Sequence, residues 1–422
     1  MKKLIFVLFP VFLSVSLVLP LLKFFPKKAV LVPNDVPTLA EAYAKVPPNG
    51  KITLRHGTHS VPETIVITKN VTILGDPAHP ERVVLQGGES SVFHLQSGFA
   101  EIAGVTIQNE GQEGNEEDSN IAVLFSAPQG LFHDCVFTSR FGGGFAVNAK
   151  DSRPLVRNCV AQNCGLTGFF IGSEACGTFR NCTARGNEYS GLQVRDEGSN
   201  PTVEGCEFTD GKATGILVAL GAAGTFRNCT ASRNVFAGMQ VRDEGSNPTV
   251  EDCEFTDGKD AGIFIYSGAA GTFRKCKVSG NESAGMGVRD EGSNPTVEDC
   301  EFTDGKEVGI AVLLGACGTF RNCTVNGNAK EGMEVGDEGS NPTVTGCKFT
   351  NGKAPGIFVH SGAAGTFRNA PPAETNLREW RRLPKGAVPP WKTACSRTIY
   401  AVFGFRFRVR HVPKEPFFRK YA

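Results

Sequence analysis

Ten of the fourteen cysteines stand on one ruler: Cys135, Cys159, Cys182, Cys206, Cys229, Cys253, Cys276, Cys300, Cys323 and Cys347 are separated alternately by 24 and 23 residues. Two steps make 47, and four blocks at that period are nearly identical, each carrying Ser-Asn-Pro-Thr-Val, at Ser199, Ser246, Ser293 and Ser340. Self-similarity at a fixed period means a solenoid, in which each repeat buries its apolar face only by stacking on its neighbours.

The pattern inside a half-block selects the kind of coil. An apolar residue stands three before each cysteine (Val203, Phe226, Val250, Phe273, Val297, Phe320, Val344) and another two after it (Phe208, Ala231, Phe255, Val278, Phe302, Val325, Phe349). These are short strand signals. Asn or Asp follows at what reads as one phase (Asn163, Asn187, Asp210, Asn234, Asp257, Asn281, Asp304, Asn328, Asn351), then a glycine, then a strand such as Gly215-Ile216-Leu217-Val218. Asn and Asp tolerate left-handed backbone and turn corners. A helical repeat would need 3.6-residue periodicity that the glycines forbid. About 23.5 residues with three short strands is one rung of an all-β, single-stranded parallel β-helix, its rungs about 4.8 Å apart.

The cysteines then form an inward column. Metal binding would need ligands converging at roughly 2.3 Å, whereas one strand position repeated along a stack presents parallel side chains, so they read as small core residues. Disulfides between neighbouring rungs are not expected on geometric grounds. Cys176 and Cys317 occupy the position of Ala223, Ala270 and Ala364; Cys164 and Cys395 have no assigned role.

Fifty glycines and a net charge of +1 describe a turn-rich body with no overall bias toward nucleic acid, and none is expected as a partner. The charge is uneven: residues 370–422 hold twelve Lys and Arg against three Glu, or +9, leaving the rest at −8. At the other end Met1-Lys2-Lys3 precedes an uncharged run from Leu4 to Leu22, followed by Lys23, Lys27 and Lys28. Residues 1–29 therefore read as a signal peptide or membrane anchor, and the product as exported and membrane-anchored, extracellular or periplasmic.

Residues 30–110 carry β-rich phrases outside the repeat, among them Pro37-Thr38-Leu39-Ala40-Glu41-Ala42 and Ile65-Val66-Ile67-Thr68-Lys69-Asn70-Val71-Thr72-Ile73-Leu74-Gly75. This layout resembles the start of right-handed parallel β-helix proteins of the pectate-lyase-like superfamily, where a short helix caps the coil. The 47-residue blocks, with Asn-Pro-Thr-Val-x-x-Cys-x-Phe and Gly-Thr-Phe-Arg-Asn-Cys, are similar to the carbohydrate-binding and sugar-hydrolysis repeats of bacterial surface proteins and of an F-box family of substrate receptors. The resemblance spans residues 30 to 369. It implies a cap with opening rungs at 30–110, regular rungs at 111–369, and a superfamily that hosts lyases, hydrolases, esterases and plain binding modules. Its lyases use calcium held by acids.

Candidate site residues fall in two groups. Asp196-Glu197, Asp243-Glu244, Asp290-Glu291 and Asp337-Glu338 recur every second rung, in steps of about 9.6 Å, and follow Arg195, Arg242 and Arg289 in three of the four copies. They read first as turn supports through Arg-to-acid pairs, with weak calcium or sugar-hydroxyl binding as the alternative. Equivalent copies do not make the single asymmetric constellation that catalysis needs. The second group is what differs between blocks: one column reads Ala219, Tyr266, Leu313, His360; another Tyr189, Phe236, Ser283, Lys330; a third Ala213, Asp260, Glu307, Ala354. Facing outward, they would give the aromatic and polar mixture of a recognition face, with Tyr189, Phe236, Tyr266 and His360 as its binding candidates; drift after duplication is the rival.

An acidic run, Glu113 to Asp118, reads as a solvated loop, with a cation site as the alternative. At the far end the ruler breaks: position 370 is Ala370, followed by Pro371 and Pro372. The basic tail at 370–422 reads as an end cap, as an appendage for an acidic polymer or membrane, or as a non-native continuation. The expectation is a non-catalytic scaffold that binds carbohydrate or protein, with no catalytic residue, metal site or cofactor assigned and calcium as the one ligand ion considered. The alternative is a polysaccharide lyase or glycoside hydrolase.

Overall fold

The structure, a computed structural model, describes residues 29–112 and 120–370. Each rung lays down one strand on each of three parallel sheets of 15, 13 and 13 strands. Thr202–Glu204, Glu207–Thr209 and Thr214–Ala219 make one such turn, and the next turn stacks in register, with Val203 on Phe226 and Phe208 on Ala231. The first open end meets a short helix, Leu39–Lys45. Thr38 caps it by accepting the Glu41 N–H at 3.2 Å, and Leu39 and Ala42 are buried. No helix among the described residues is long and apolar enough to cross a membrane. The apolar run Leu4 to Leu22, the acidic run Glu113 to Asp118 and the tail from Pro371 onward lie outside the described residues.

The 47-residue period has a packing cause. A rung with Val in the first sheet has Phe in the second (Val203 with Phe208), and the next reverses large and small (Phe226 with Ala231); all four are buried. One phenylalanine per rung, on alternating walls, holds the interior volume constant, as close packing demands. The third sheet closes the core with pairs such as Ile263 and Ile265, then Met286 and Val288.

The corner after the second sheet separates residues that the sequence aligned at one phase. Asn163, Asp210, Asp257, Asp304 and Asn351 sit four residues past a cysteine with φ of 51–56° and turn the chain. Asn187, Asn234, Asn281 and Asn328 sit five past, buried at 0–2 % exposure, and point inward. Each bridges two rungs. Asn281 Oδ1 accepts from Gly258 N–H at 2.9 Å, and its Nδ2 donates to Phe255 O at 3.1 Å. Glycine stands at this position in the alternate rungs, so the Asn side chain of one rung fills the room its neighbour leaves. Cys164 takes that glycine position, its N–H donating to Asn187 Oδ1 at 3.0 Å, which gives the cysteine a structural place. Gly215, at the head of a third-sheet strand, is needed for close approach: a Cβ there would lie 2.6 Å from Gly238 O.

The cysteine ruler is a core column. Cys229 N–H donates to Cys253 Sγ at 3.4 Å, and the Cys253 thiol lies 3.3 Å from Glu251 O. Cys176 and Cys317 share a backbone position with Ala223, since their N–H groups donate to Ser152, Ser293 and Ser199 O respectively. Ala370 fills the next place in the column and is buried at 9 % exposure. No disulfide occurs among the described residues, where thirteen cysteines are free and eleven of them buried. Burial pushes the Cys159 thiol up and takes Cys164 to about 12, so both stay protonated at neutral pH. Because all eleven lie in the core out of reach of solvent, alkylation of the native protein should leave them unmodified until denaturant is added; rapid native labelling of any of them would contradict the buried column.

Candidate functional site: a groove on the third sheet

Outward positions of the third sheet gather the variable residues. Registration of Ser190 with Thr214, Thr214 with Ala237 and Ala237 with Ala261 interleaves two of the sequence columns into one: Tyr189, Ala213, Phe236, Asp260, Ser283, Glu307, Lys330 and Ala354 follow on successive rungs. The column of Tyr266 likewise alternates with arginine, because Arg195 pairs Ala219, Arg242 pairs Tyr266 and Arg289 pairs Leu313. Between them runs a third line that the block comparison passed over: Gln240, Phe264, Gly287, Ala311, Glu334 and Phe358.

That middle line makes a groove. Gly287 and Ala311 are small while Phe264 and Glu334 are large, so the face sinks between strands Ala261–Tyr266 and Met333–Val335 into a cavity of about 470 Å³. Phe236 and Phe264 wall one end, with ring centroids 6.0 Å apart in an edge-to-face pair. Tyr266 leans on Phe264 at 4.8 Å, and its hydroxyl oxygen accepts from Gln240 Nε2. The polar lining is Asp260, Ser283, Arg289, Glu307 and Glu334. Glu307 is ion-paired to Lys330; Glu334 meets His360 Nε2 at 3.0 Å, and that imidazole stacks on Phe358 at 4.9 Å. Asp260 differs from both. Burial raises its pKa above the ordinary aspartate value, against a hydrogen bond with Ser283 that lowers it.

The sequence candidates divide accordingly. Phe236, Tyr266 and His360 are brought to the groove or its margin. Tyr189 lies in the same column as Phe236, two rungs before it, about 9.6 Å away along the stack. The repeated acids occupy the corner after the third sheet. Asp196, Asp243, Asp290 and Asp337 have φ of 70–73°, and their Oδ2 atoms accept N–H bonds from Ser173, Leu220, Ser267 and Leu314 of the preceding rung at 2.9–3.2 Å. Each thus ties one turn to the next. Glu197, Glu244, Glu291 and Glu338 project from that corner and are exposed. Among the described residues no three His, Cys, Asp or Glu side chains converge to hold a metal ion, and the corner aspartates are spent on backbone N–H groups. The calcium arrangement that the family resemblance implies does not fit these residues.

The sequence places the whole regular coil in a family. The profile of the right-handed β-helix region matches residues 90–255, 173–293 and 243–370, overlapping spans that cover most of the chain. The chain belongs to the right-handed parallel β-helix family. No curated protein matches it. The β-helix is similar in structure to the A-module of mannuronan C-5 epimerase AlgE6 from Azotobacter vinelandii, with a TM-score of 0.51 and 14% identity over 78% of this chain and 91% of that one. It is similar to the catalytic domain of a GH87 α-1,3-glucanase in complex with nigerose, with a TM-score of 0.51 and 12% identity over 79% of this chain and 66% of that one. A variant of the periplasmic alginate epimerase AlgG matches with a TM-score of 0.50 and 12% identity over 82% of this β-helix chain and 84% of its own. At these identities the likeness is one of fold.

Proposed function

We propose that this β-helix is a carbohydrate-active enzyme that holds a glycan in the third-sheet groove and hydrolyses a glycosidic bond there. One observation carries the reading: Asp260 and Glu307 stand in one column, two rungs apart, in unlike environments beside an aromatic wall. Two rung steps are about 9.6 Å between backbone positions, close to the wide carboxyl spacing that leaves room for a water molecule. Asp260, protonated to higher pH than an ordinary aspartate, donates its proton to the leaving glycosidic oxygen. The Glu307 carboxylate takes a proton from the water whose oxygen bonds to the anomeric carbon. The C–O bond to the leaving sugar breaks, and the anomeric configuration inverts. Phe236 and Phe264 offer apolar faces to the C–H side of the sugar rings. The solved neighbours named above are a mannuronan epimerase, an α-1,3-glucanase in complex with nigerose and an alginate epimerase, which supports a sugar as ligand. A location outside the cytoplasm, with residues 1–29 as signal or anchor, belongs to the same proposal.

The test is to incubate the full chain with acidic and neutral polysaccharides, with and without calcium. New reducing ends without unsaturation are expected. Unsaturated ends would make the protein a lyase and contradict hydrolysis. Binding without turnover would return it to a non-catalytic recognition scaffold, a reading favoured by the variability of the same columns from block to block.

A further inference from the structure

We propose that Arg289 is the anion-holding group of the groove, so that the sugar bound over Phe264 carries an oxyanion, whether carboxylate, sulfate or phosphate; this rests on the glycan reading above. The repeat supplies the same arginine three times, and the copies differ. Arg195 Nε lies 3.3 Å from Asp196 Oδ1, and Arg242 lies 3.9 Å from Asp243 Oδ2. Arg289 makes no ion pair among the described residues, not even with the neighbouring Asp290. Its guanidinium lies 5.9 Å over the Phe264 ring instead. Its Nε is buried with no hydrogen bond, as is that of the ion-paired Arg242, so the copies differ in the ion pair and in what lies beside them rather than at Nε.

The difference follows from the strands. In the rungs of Arg195 and Arg242 the middle outward position is Gln193 or Gln240, and in the rung of Arg289 it is Gly287, whose missing side chain opens the groove beside the arginine. A buried guanidinium N–H without an acceptor is costly, and a planar two-oxygen anion is the partner that its fork geometry fits. The other charges of the groove have partners: Glu307 has Lys330, Glu334 has His360, and Asp260 has the Ser283 hydroxyl. Arg289 is therefore the cation left to meet charge on a ligand.

Titration calorimetry of the full chain with trigalacturonate, a sulfated trisaccharide and maltotriose as probes tests this. At least one anionic probe should bind about tenfold to a hundredfold more tightly than maltotriose; Arg289→Gln should remove that preference and Arg289→Lys restore part of it. Which anionic probe wins distinguishes carboxylate from sulfate. Arg195→Gln, two rungs before the first lining residue Phe236, should leave binding unchanged, and equal unfolding midpoints show that the variants are folded. If Arg289→Gln binds the anionic probes as the wild type does, or maltotriose binds as tightly, Arg289 does not hold an anion, while the glycan reading stands so long as Phe264→Ala weakens binding. If no probe binds, both fall together.

Discussion

An Asp260→Asn variant should lose glycan cleavage by a factor of about 10² to 10⁴ in kcat/KM, the usual contribution of a placed general acid, with binding changed only a few-fold. The amide keeps the shape of the side chain and its capacity to accept from Ser283, and removes the transferable proton. The wild-type pH profile should show the reason. The acid works when protonated, so kcat/KM falls as pH rises through the folded pKa of Asp260, and that limb should lie above the ordinary value of 3.8. The same shift fixes the sign for stability. A folded pKa above the unfolded one means that folding favours the protonated form; the stabilisation is complete below the unfolded value and is lost as pH rises through the folded one. Near neutral pH the asparagine variant should thus unfold no earlier than the wild type. A variant with undiminished turnover would remove Asp260 from the chemistry.

Asn281→Ala should produce the larger loss of stability, about 2–6 kcal/mol, because it strips two buried backbone groups of their partners at about 1–3 kcal/mol each. Those groups are Gly258 N–H and Phe255 O, and the asparagine that joins them is 1 % exposed. Both lie on the rung below, so the damage falls on the interface between rungs, the term on which a solenoid depends. Arg274→Ala is the comparison. It breaks an exposed ion pair with Glu298 at 3.1 Å, screened by solvent, and should leave the midpoint almost unchanged. Denaturant unfolding of the two variants measures the difference, and equal midpoints would contradict the bridging role of the asparagines.

The sequence made the coil legible because its core residues repeat: Val203 and Phe226, or Phe208 and Ala231, announce their walls by period alone. The corner was harder. Alternation of 23 and 24 residues hides a one-residue offset, so Asp257, which turns the chain, and Asn281, which bridges rungs, looked equivalent. Half of the groove was visible as variable columns, with Phe236, Tyr266, Asp260 and Glu307 among them. What made it a groove was not visible. Its depth comes from Gly287 and Ala311, residues that signal by what they lack, and its asymmetry comes from interleaving two columns that the 47-residue comparison keeps apart. Block-to-block variation at Leu217, Phe264, Ala311 and Phe358 was a signal of the same kind as the one that singled out Tyr266. The repeated acids read first as turn supports, and the structure puts Asp243 and Asp290 at the turn, with backbone N–H groups of the preceding rung as partners that the sequence did not name.

The central claim is that glycan chemistry happens in this groove, and Ala311→Trp tests it most directly. Ala311 floors the cavity, points away from the buried pair Ile310 and Val312, and carries no ionisable group. An indole there takes up groove space while Asp260 and Glu307 keep their own side chains. Reducing-end release should fall to background in that variant while its unfolding midpoint stays within that of the wild type. Turnover that continues undiminished with the groove filled would contradict the account.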